Sequence, residues 1–478
     1  MSSSGNTDPG VRLDFNEPIV TRSESSIEGK HVLADPELIS PKYSDDALAL
    51  RFTKRYEQDI RYVAKWGRWM NYDGSCWKED TVLGVYDKCR EICRAASEEC
   101  QAEQKPAVAK QLMAATTVAA VQRMASWDQR TAATVDQWDA DPWLLNTPGG
   151  AVDLRTGEIR PNRRDHYCTK ITSVAPGGSC RLWREFLKRV TDGDFDLEGF
   201  LQRMIGYCLT GRTGEECLFF LYGTGANGKS KFLNAIKGAM GDYCQTAPID
   251  TFIASTTDHH PTDLAGLRGA RLVTAVETEE GRRWALSKIK TLTGGDPIAA
   301  RFMRQDFFEY VPQYKLVIAG NHKPGLRNVD EAVRRRFHLV PFQVTIPEAE
   351  RDRELGAKLQ AEWPGILRWG IDGAIGWHRD GLNPPAAVKE ATASYLASED
   401  HVARWMDECC LIDKTCYGKS KPLYDSYCGW CNANHEQPLT SKQFNEELDK
   451  RGFPVEHGHY GNFRTGIALV TDVGKQGA

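Results

Sequence analysis

Residues 223–230 read Gly-Thr-Gly-Ala-Asn-Gly-Lys-Ser, with the apolar run Cys217–Tyr222 before them and the helix-like segment 231–236 after them. This is the G-x-x-x-x-G-K-S pattern in the strand–loop–helix context that it requires. The glycines let backbone N–H groups wrap around a phosphate, and the following helix adds the positive end of its dipole. Two further apolar runs, Leu272–Val276 and Leu316–Ala319, have the length of buried strands. The pattern predicts an α/β core with a parallel sheet that binds a nucleoside triphosphate.

Each position of the loop is a candidate nucleotide-binding residue: Gly223, Thr224, Gly225, Ala226, Asn227, Gly228, Lys229 and Ser230. Lys229 is expected to reach the β- and γ-phosphates, and the Ser230 hydroxyl is expected to ligate Mg²⁺. A GTPase would need an Asn-Lys-x-Asp guanine reader after a later strand, and Asn321-His-Lys-Pro324 does not supply it. The sequence therefore favours ATP and Mg²⁺ as cofactors.

Polar residues follow the second and third strand-like runs. Glu277 and Glu279 come after the second, where one carboxylate can hold Mg²⁺ through water and another can polarise the attacking water. Which glutamate takes which role stays open, with Glu277 preferred for the metal. Asn321 follows the third run, where an amide can sense the γ-phosphate and orient the lytic water. A solvated acidic turn and a turn asparagine are the alternative interpretations.

Three consecutive arginines, residues 334–336, precede the apolar segment 337–342. A guanidinium placed against the γ-phosphate of a neighbouring subunit neutralises charge in the transition state. Arg335 and Arg336 are the candidates for this role, and arginines on a helix surface are the alternative. The candidate catalytic residues are therefore Lys229, Glu277, Glu279, Asn321, Arg335 and Arg336.

The chain divides by composition and periodicity. Residues 1–45 are rich in Ser, Asp, Glu, Pro and Gly and predict a disordered arm. Residues 46–180 mix helical periodicity with hairpin patterns at Trp66–Trp77 and Leu144–Leu154, and predict an α+β domain. The remaining segments are the predicted ATPase core (181–350), which opens with a helical stretch from Leu182 to Leu209, a helical connector (351–400) and a small C-terminal domain (401–478).

Charge, hydropathy and cysteine content exclude several classes of protein. The chain of 478 residues has 61 Lys+Arg and 65 Asp+Glu, a net charge of -4, which excludes a protein that coats nucleic acid by bulk charge. No apolar run approaches the roughly 20 residues of a membrane span, and the N-terminus has no signal-peptide core, so we expect a soluble, cytoplasmic protein without a membrane partner. Fourteen cysteines are too dilute for a disulfide scaffold. Cys428 and Cys431 have zinc-knuckle spacing without a second clean pair, and buried thiols are the preferred interpretation.

The motifs together resemble a superfamily 3 helicase, specifically the phage/plasmid and poxvirus primase-helicase type. The resemblance covers roughly residues 45–475. It is carried in order by Gly223–Ser230, the strand to Glu277, Lys290–Asp296 with Arg301, the strand to Asn321, and Asp330–Phe342. It implies an AAA+-like P-loop ATPase core and a winged-helix-like domain over 401–478. It also implies a homo-oligomeric ring, usually a hexamer, with ATP between subunits, single-stranded DNA in the channel and 3′→5′ movement.

In this family a DNA-gripping hairpin lies between the second carboxylate and the sensor strand. The corresponding segment is 297–310, which predicts two short strands around a tip at Met303-Arg304-Gln305. Arg304 could bind a phosphate, and Phe302 or Met303 could press on a base or sugar. The candidate DNA-binding residues are Lys290, Arg301, Met303 and Arg304, and a structural ion pair is the alternative for Lys290 and Arg301.

No Asp-x-Asp strand of a primase precedes residue 180, so we expect a separate primase partner. The preferred interpretation is an ATP-dependent DNA helicase that acts on single-stranded and forked DNA in the replication of a phage, prophage or plasmid, in a bacterial cytoplasm. Two alternatives remain: an origin-binding initiator ATPase without processive unwinding, and a nucleotide-stabilised oligomeric scaffold. The paired glutamates and the arginines argue against the scaffold.

Overall fold

The computed structural model describes residues 40–254, 262–277, 280–304, 306–326, 329–434, 436–458 and 461–473. These residues form two compact units. One unit contains residues 40–54 and 86–125, and the other contains residues 55–85 together with the described residues from 126 onward.

The first unit is built from four helices. They are α1 (Asp45–Tyr56), α2 (Gly84–Ala102), α3 (Pro106–Leu112) and α4 (Ala115–Ala125). Their apolar faces are buried at Leu48, Phe52, Cys89 and Val121. The helical periodicity predicted for this stretch is confirmed.

The second unit begins with two antiparallel sheets of three strands each. The first contains β1 (Ile60–Val63), β2 (Arg68–Tyr72) and β3 (Trp77–Glu79), and the second contains β4 (Leu144–Thr147), β5 (Gly150–Asp153) and β6 (Ile159–Arg160). Both predicted hairpins are present. In the β2–β3 turn, Asp73 Oδ1 accepts hydrogen bonds from the backbone N–H groups of Ser75 (2.9 Å) and Cys76 (2.8 Å). This side-chain turn fixes the strand pairing.

The helical stretch predicted from Leu182 to Leu209 is confirmed, and it consists of two helices, α5 (Arg181–Val190) and α6 (Phe195–Leu209). Asp192 and Gly193 have φ of +57° and +75°, and a helix cannot continue through left-handed residues. The Asp194 carboxylate then accepts a hydrogen bond from the N–H of Leu197 at 3.0 Å and caps α6.

A five-stranded parallel sheet is the centre of the second unit. Its strands are β7 (Leu218–Tyr222), β8 (Cys244–Thr246), β9 (Leu272–Glu277), β12 (Lys315–Gly320) and β13 (Phe337–Pro341), in the spatial order β13–β7–β12–β9–β8. Phe219 and Val317 are buried in the core on one face, and Phe220 and Ile318 in the core on the other. Burial on both faces explains why these strands are uninterrupted apolar runs.

Four helices and one hairpin are connected to this sheet. α7 (Lys229–Met240) follows β7, α8 (Thr262–Ala265) precedes β9, and α9 (Leu286–Thr293) follows β9. The hairpin of β10 (Ile298–Ala300) and β11 (Phe308–Tyr310) precedes β12, and α10 (Glu331–Arg336) leads into β13. The predicted hairpin at 297–310 is confirmed. Gln305 at its tip lies outside the described residues.

Helices α11 (Leu355–Ala361), α12 (Trp363–Asp380) and α13 (Ala386–Ser398) connect the sheet to the C-terminal segment. That segment contains α14 (His401–Cys409), β14 (Cys410–Lys419), α15 (Ser420–Ala433), α16 (Ser441–Lys450), β15 (Val455–Gly458), β16 (Gly461–Leu469) and α17 (Val470–Val473). Its strands pair in the order β14–β16–β15, and Trp405, Tyr427 and Phe444 form the centre of its core.

Candidate functional site

The loop between β7 and α7 has a backbone that only glycine tolerates at several positions. Gly225 and Gly228 have φ of +108° and +85°. A Cβ added at Gly223 would lie 2.0 Å from Asn227 Nδ2 and 2.1 Å from the carbonyl oxygen of Phe342. The loop is therefore a closely packed turn directly before the N-terminus of α7, which is the arrangement that a phosphate-binding loop requires.

Lys229 is the first residue of α7, and its side chain points back across the loop. Its Nζ donates hydrogen bonds to the carbonyl oxygen of Gly223 (2.6 Å), to Asn227 Oδ1 (3.0 Å) and to Asn321 Oδ1 (3.1 Å). The residue is only 6 % exposed, and burial lowers the pKa of the ammonium to about 8. Three acceptors match the three N–H bonds of the ammonium, so this arrangement satisfies the charged lysine with protein oxygens.

Sheet topology brings Asn321 to Lys229. β12 lies between β7 and β9 and runs parallel to both, with Gly320 opposite Tyr222 on one side and Glu277 on the other. Because parallel strands end at the same edge, Asn321, the first residue after β12, lies beside the glycine-rich loop. Two residues that the sequence predicts to act together are therefore in contact.

The glutamates are placed less completely. Glu277 is the last residue of β9, so its backbone lies at the same edge of the sheet as Asn321. Glu279 lies outside the described residues. Ser230 is exposed in the first turn of α7, where its hydroxyl is accessible to a ligand. Which glutamate holds a metal ion stays a prediction.

The arginines of α10 have different environments. The side chain of Arg336 is 8 % exposed, and its Nη2 donates to Glu216 Oε2 at 2.7 Å. The side chain of Arg335 is 59 % exposed and donates to the same oxygen at 2.9 Å. Arg334 forms an ion pair of 3.5 Å with the buried carboxylate of Asp400. Arg336 therefore fastens α10 to the protein, whereas Arg335 is open to a neighbouring molecule.

Glu216 is a site residue that sequence motifs do not identify. It lies two residues before β7 with φ of +48°, and its carboxylate holds both Arg335 and Arg336. Its only sequence signal is a pair of acidic residues directly before a strand, Glu215 and Glu216, which is a common surface pattern. Glu216 positions the two arginines relative to β7, the strand that precedes the glycine-rich loop.

Lys290 has an ion-pair partner within the chain. Its Nζ lies 2.6 Å from Asp330 Oδ2, and the other oxygen of Asp330 accepts a hydrogen bond from the N–H of Val333 at 2.8 Å. Asp330 thus caps α10 and joins it to α9. This geometry favours the structural interpretation of Lys290 over direct contact with a ligand.

The tip of the β10–β11 hairpin presents apolar and basic side chains to solvent. Met303 is 68 % exposed and Phe307 is 59 % exposed, and Arg304 is also exposed. The guanidinium carbon of Arg301 lies 4.7 Å from the ring centroid of Phe307. Phe307, directly before β11, is not among the predicted contact residues, although the segment 307–310 contains three aromatic residues. The tip therefore offers both a cation and exposed rings to a flat ligand.

The zinc-knuckle spacing at Cys428 and Cys431 falls on one helix, α15, and Cys431 is buried. Within the described residues, no group of three or more His, Cys, Asp or Glu side chains could hold a metal ion. Among all the residues that the structure describes, no helix is both long enough and apolar enough to cross a membrane.

Comparison with protein families gives two matches along the chain. Residues 49–192 match the family described as "D5 N terminal like", and residues 221–336 match a family of unknown function, DUF5906. The second match covers the glycine-rich loop, β9, the hairpin, Asn321 and α10.

Two curated relatives are viral proteins. The chain is 27 % identical over 324 residues to the protein of Acanthamoeba polyphaga mimivirus named "Putative helicase L207/L206", and the match covers 62 % of this chain and 34 % of that protein. It is 24 % identical over 260 residues to "Putative helicase 022R" of Frog virus 3, covering 49 % of this chain and 26 % of that protein. The matches therefore span about a third or less of the relatives' length.

Among solved structures, the C-terminal region of NrS-1 has a similar fold. Its apo A form matches with a TM-score of 0.52 and 10 % sequence identity, covering 89 % of this chain and 100 % of that chain. A second apo structure of the same region gives a TM-score of 0.52 and 10 % identity, with coverages of 88 % and 99 %. At this identity the likeness concerns the fold alone.

Proposed function

We propose that the chain is an ATP-driven DNA helicase of a replication system, of the phage and viral primase-helicase type. The match of residues 49–192 to the family described as D5 N terminal like supports this proposal, as do the viral relatives named putative helicases. The finer assignments are part of the same proposal: a hexameric ring, movement 3′→5′ along single-stranded DNA, action on forked DNA, and a phage, prophage or plasmid context with a separate primase. The observation that carries the proposal is the contact between Lys229 Nζ and Asn321 Oδ1 beside a glycine-rich loop.

ATP is the proposed fuel because the glycine-rich loop lies directly before the N-terminus of α7 and leaves no room for a Cβ at Gly223 or Gly228, as a phosphate-binding backbone turn requires. On binding, Lys229 exchanges its three protein oxygens for the oxygens of the β- and γ-phosphates. This exchange releases the amide of Asn321, which can then hydrogen-bond the γ-phosphate and the attacking water. Before ATP binds, a hydrogen bond therefore joins the Lys229 ammonium to the sensor amide of Asn321.

Mg²⁺ fits the exposed hydroxyl of Ser230 and the carboxylate proposed at Glu277, since oxygen ligands are those that this ion prefers. When bound, the ion would neutralise charge on the β- and γ-phosphates. Glu279 is the proposed partner that polarises the attacking water. The shared edge at which β7, β9 and β12 end, where the backbone of Glu277 lies, supports this proposal.

Ring assembly is proposed from the arginines. Arg335 has an exposed guanidinium, so it can reach a γ-phosphate of a neighbouring subunit in a head-to-tail interface. Arg336 is buried against Glu216 and Thr293, which suits a role in fixing the position of α10. We therefore propose Arg335 as the arginine that acts in trans and Arg336 as its positioning residue.

DNA binding is proposed at the β10–β11 hairpin. Arg304, Met303 and Phe307 at its tip could contact phosphates and bases, as basic and aromatic side chains do in single-strand channels. The chain has a net charge of -4, so a few channel cations repeated around a ring must supply the affinity. Binding is expected to weaken steeply with salt.

An origin-binding initiator is the second candidate, and the C-terminal segment is where its DNA reader would lie. The order α14–β14–α15–α16–β15–β16 is that of a winged helix, in which α16 would be the recognition helix. However, α16 carries two lysines, Lys442 and Lys450, against three acids, Glu446, Glu447 and Asp449. This balance does not suit phosphate binding, so we prefer the helicase.

Strand displacement tests the proposal directly. A 20-base-pair duplex with a 3′ single-stranded tail, the same duplex with a 5′ tail, and a forked duplex are incubated with ATP and Mg²⁺. We expect displacement of the 3′-tailed and forked substrates, none of the 5′-tailed substrate, and none with Lys229→Ala. ATP hydrolysis without displacement of any substrate would favour the initiator.

A further inference from the structure

The Arg268 guanidinium lies between two aromatic rings that belong to different parts of the second unit. Its Cζ is 4.8 Å from the ring centroid of Trp66 and 5.5 Å from that of Phe308. Trp66 is in the turn between β1 and β2, and Phe308 is the first residue of β11 in the hairpin. One cation therefore bridges the three-stranded sheet and the hairpin.

The chemistry of arginine suits this position. A guanidinium is planar, stays charged at any working pH and is weakly hydrated, so it can contact a ring on each face at a low cost of desolvation. Arg268 is half-buried, and burial lowers the pKa of its guanidinium, but the side chain stays charged at any working pH. A neutral side chain of the same volume would keep the packing but lose the electrostatic attraction.

Two hydrogen bonds anchor the same end of the hairpin. The Tyr310 hydroxyl donates to the carbonyl oxygen of Leu264 at 2.6 Å. Gln313, in the segment from β11 to β12, donates through Nε2 to the carbonyl oxygen of Asp139 at 3.3 Å. The tip has a different environment, with Met303 and Phe307 exposed. The hairpin is therefore held at β11 and free at its tip.

We infer that Arg268 is a positioning residue that fixes the hairpin in its DNA-gripping orientation by clamping Phe308 against Trp66. The inference rests on the proposed function, because it concerns how the hairpin meets single-stranded DNA. The clamp also gives the sheet β1–β3 a role, because this sheet then supports the hairpin in a fixed position. The clamp lowers the conformational freedom that the hairpin must lose when it binds a strand.

Loss of the clamp should alter DNA binding and leave the nucleotide site unchanged. For Arg268→Met, we expect the concentration of single-stranded DNA that half-maximally stimulates ATP hydrolysis to rise about fivefold, the size expected for a partly buried cation–π contact. The DNA-free rate and the maximal stimulated rate should stay at the wild-type values. Arg268→Lys retains a cation but loses the planar, weakly hydrated guanidinium, so it should restore only part of the affinity.

Three further variants make the test specific. Phe308→Leu should also raise the half-stimulating DNA concentration, and the double variant should be no worse than Arg268→Met alone, because both substitutions break the contact between Arg268 and Phe308. Arg404→Ala is the matched control: its guanidinium carbon lies 5.0 Å from the ring centroid of Trp430 in the C-terminal segment, far along the chain from the hairpin. This control should leave the half-stimulating DNA concentration unchanged.

Hydrogen exchange provides a readout that needs no DNA. Peptides that contain β10 and β11 should exchange faster in Arg268→Met than in the wild type, while peptides from α7 exchange equally in both. Equal exchange of the hairpin peptides, or additive effects of Arg268→Met and Phe308→Leu, would overturn the clamp. If the wild-type protein were indifferent to DNA while the exchange result held, the proposed function would fail and the clamp would stand.

Discussion

Lys229 Nζ and Asn321 Oδ1 are joined by a hydrogen bond of 3.1 Å, although 92 residues separate them in the chain. The bond links the first residue of α7, the helix that follows β7, to the first residue after β12, and β7 and β12 are neighbours in the parallel sheet. Protein oxygens satisfy the Lys229 ammonium, and under the proposed function phosphate oxygens take their place when a nucleotide binds. The bond therefore connects nucleotide binding to the release of the sensor amide.

Substitution of Asn321 should separate binding from hydrolysis. Asn321→Ala removes the amide that orients water but leaves the loop and Lys229 in place, so we expect ATP affinity within about threefold and a rate of hydrolysis lowered about 100-fold. Asn321→Asp places a carboxylate beside the Lys229 ammonium, and should weaken ATP binding by attracting the lysine and repelling the γ-phosphate. Fluorescent-nucleotide titration and phosphate release measure the two effects. Equal loss of affinity in both variants would contradict the sensor role.

ATP affinity should depend on pH through Lys229. Burial lowers the pKa of its ammonium to about 8 in the empty protein, and bound phosphates raise this pKa again. Above about pH 8, binding must take up a proton, so affinity should fall as pH rises, by up to tenfold per pH unit. Below about pH 8 this group contributes no slope.

Calorimetry of ATP binding in buffers with different ionisation enthalpies measures the proton uptake at pH 7 and pH 9. We expect uptake only at the higher pH. Lys237→Ala, which removes an exposed lysine from the last turn of α7, should keep the same pH profile. A profile without slope between pH 8 and 9.5 would contradict the lowered pKa.

The empty protein should also become more stable over the same alkaline range. The pKa of Lys229 is lower in the folded state than in the unfolded state, so the unfolded chain binds more protons between about pH 8 and 10.5. The contribution of Lys229 to the free energy of unfolding therefore rises with pH over this range. Urea denaturation of the wild type and Lys229→Met at pH 7.5 and 9.5 tests this. An identical change with pH in both proteins would contradict the assignment to Lys229.

Arg335→Ala and Arg336→Ala should fail in different ways. Arg336 is buried against Glu216, so its loss should lower the free energy of unfolding by about 2 kcal/mol. Arg335 is exposed, so its loss should change stability by less than about 0.5 kcal/mol but lower hydrolysis about 1,000-fold, with ATP binding retained. Denaturation and ATPase assays of both variants check these outcomes.

Co-expression of Arg335→Ala with Lys229→Ala tests action in trans. In a mixed ring, some interfaces combine an intact Lys229 from one subunit with an intact Arg335 from its neighbour, so hydrolysis should partly return. A mixture as inactive as each variant alone would argue that Arg335 does not serve a neighbouring site.

Two glycines of the loop provide a matched pair. A Cβ at Gly228 would lie 2.6 Å from Val190 Cγ1, whereas a Cβ at Gly225 meets no atom within 4 Å. Both residues have positive φ, so Gly225→Ala should cost only the backbone strain of about 1–2 kcal/mol, and Gly228→Ala should cost more because α5 must move. Urea denaturation of the two variants gives the comparison. Equal losses of stability would show that the contact with Val190 is relieved easily.

Much of the central sheet could be predicted from the sequence. The runs at Leu218–Tyr222 and Lys315–Gly320 have no polar face, so they fit only strands covered on both sides. The proximity of Lys229 and Asn321 can then be predicted, because parallel strands end at the same edge of a sheet. Local turn chemistry was equally readable at Asp73.

Other features depend on packing between distant segments and have no local pattern. Glu216 holds Arg335 across 119 residues, and this pairing exists only because α10 lies beside the start of β7. The clamp at Arg268 needs three segments to meet. The break between α5 and α6 is different, because the local sequence Asp192-Gly193 accounts for it.

The most direct test of the central claim is ATP hydrolysis by the purified protein, measured with and without single-stranded DNA and beside Lys229→Ala. We predict hydrolysis that single strands stimulate strongly, that falls as salt is raised, and that Lys229→Ala abolishes. A wild-type rate unchanged by single-stranded DNA, or a Lys229→Ala protein as active as the wild type, would contradict the account.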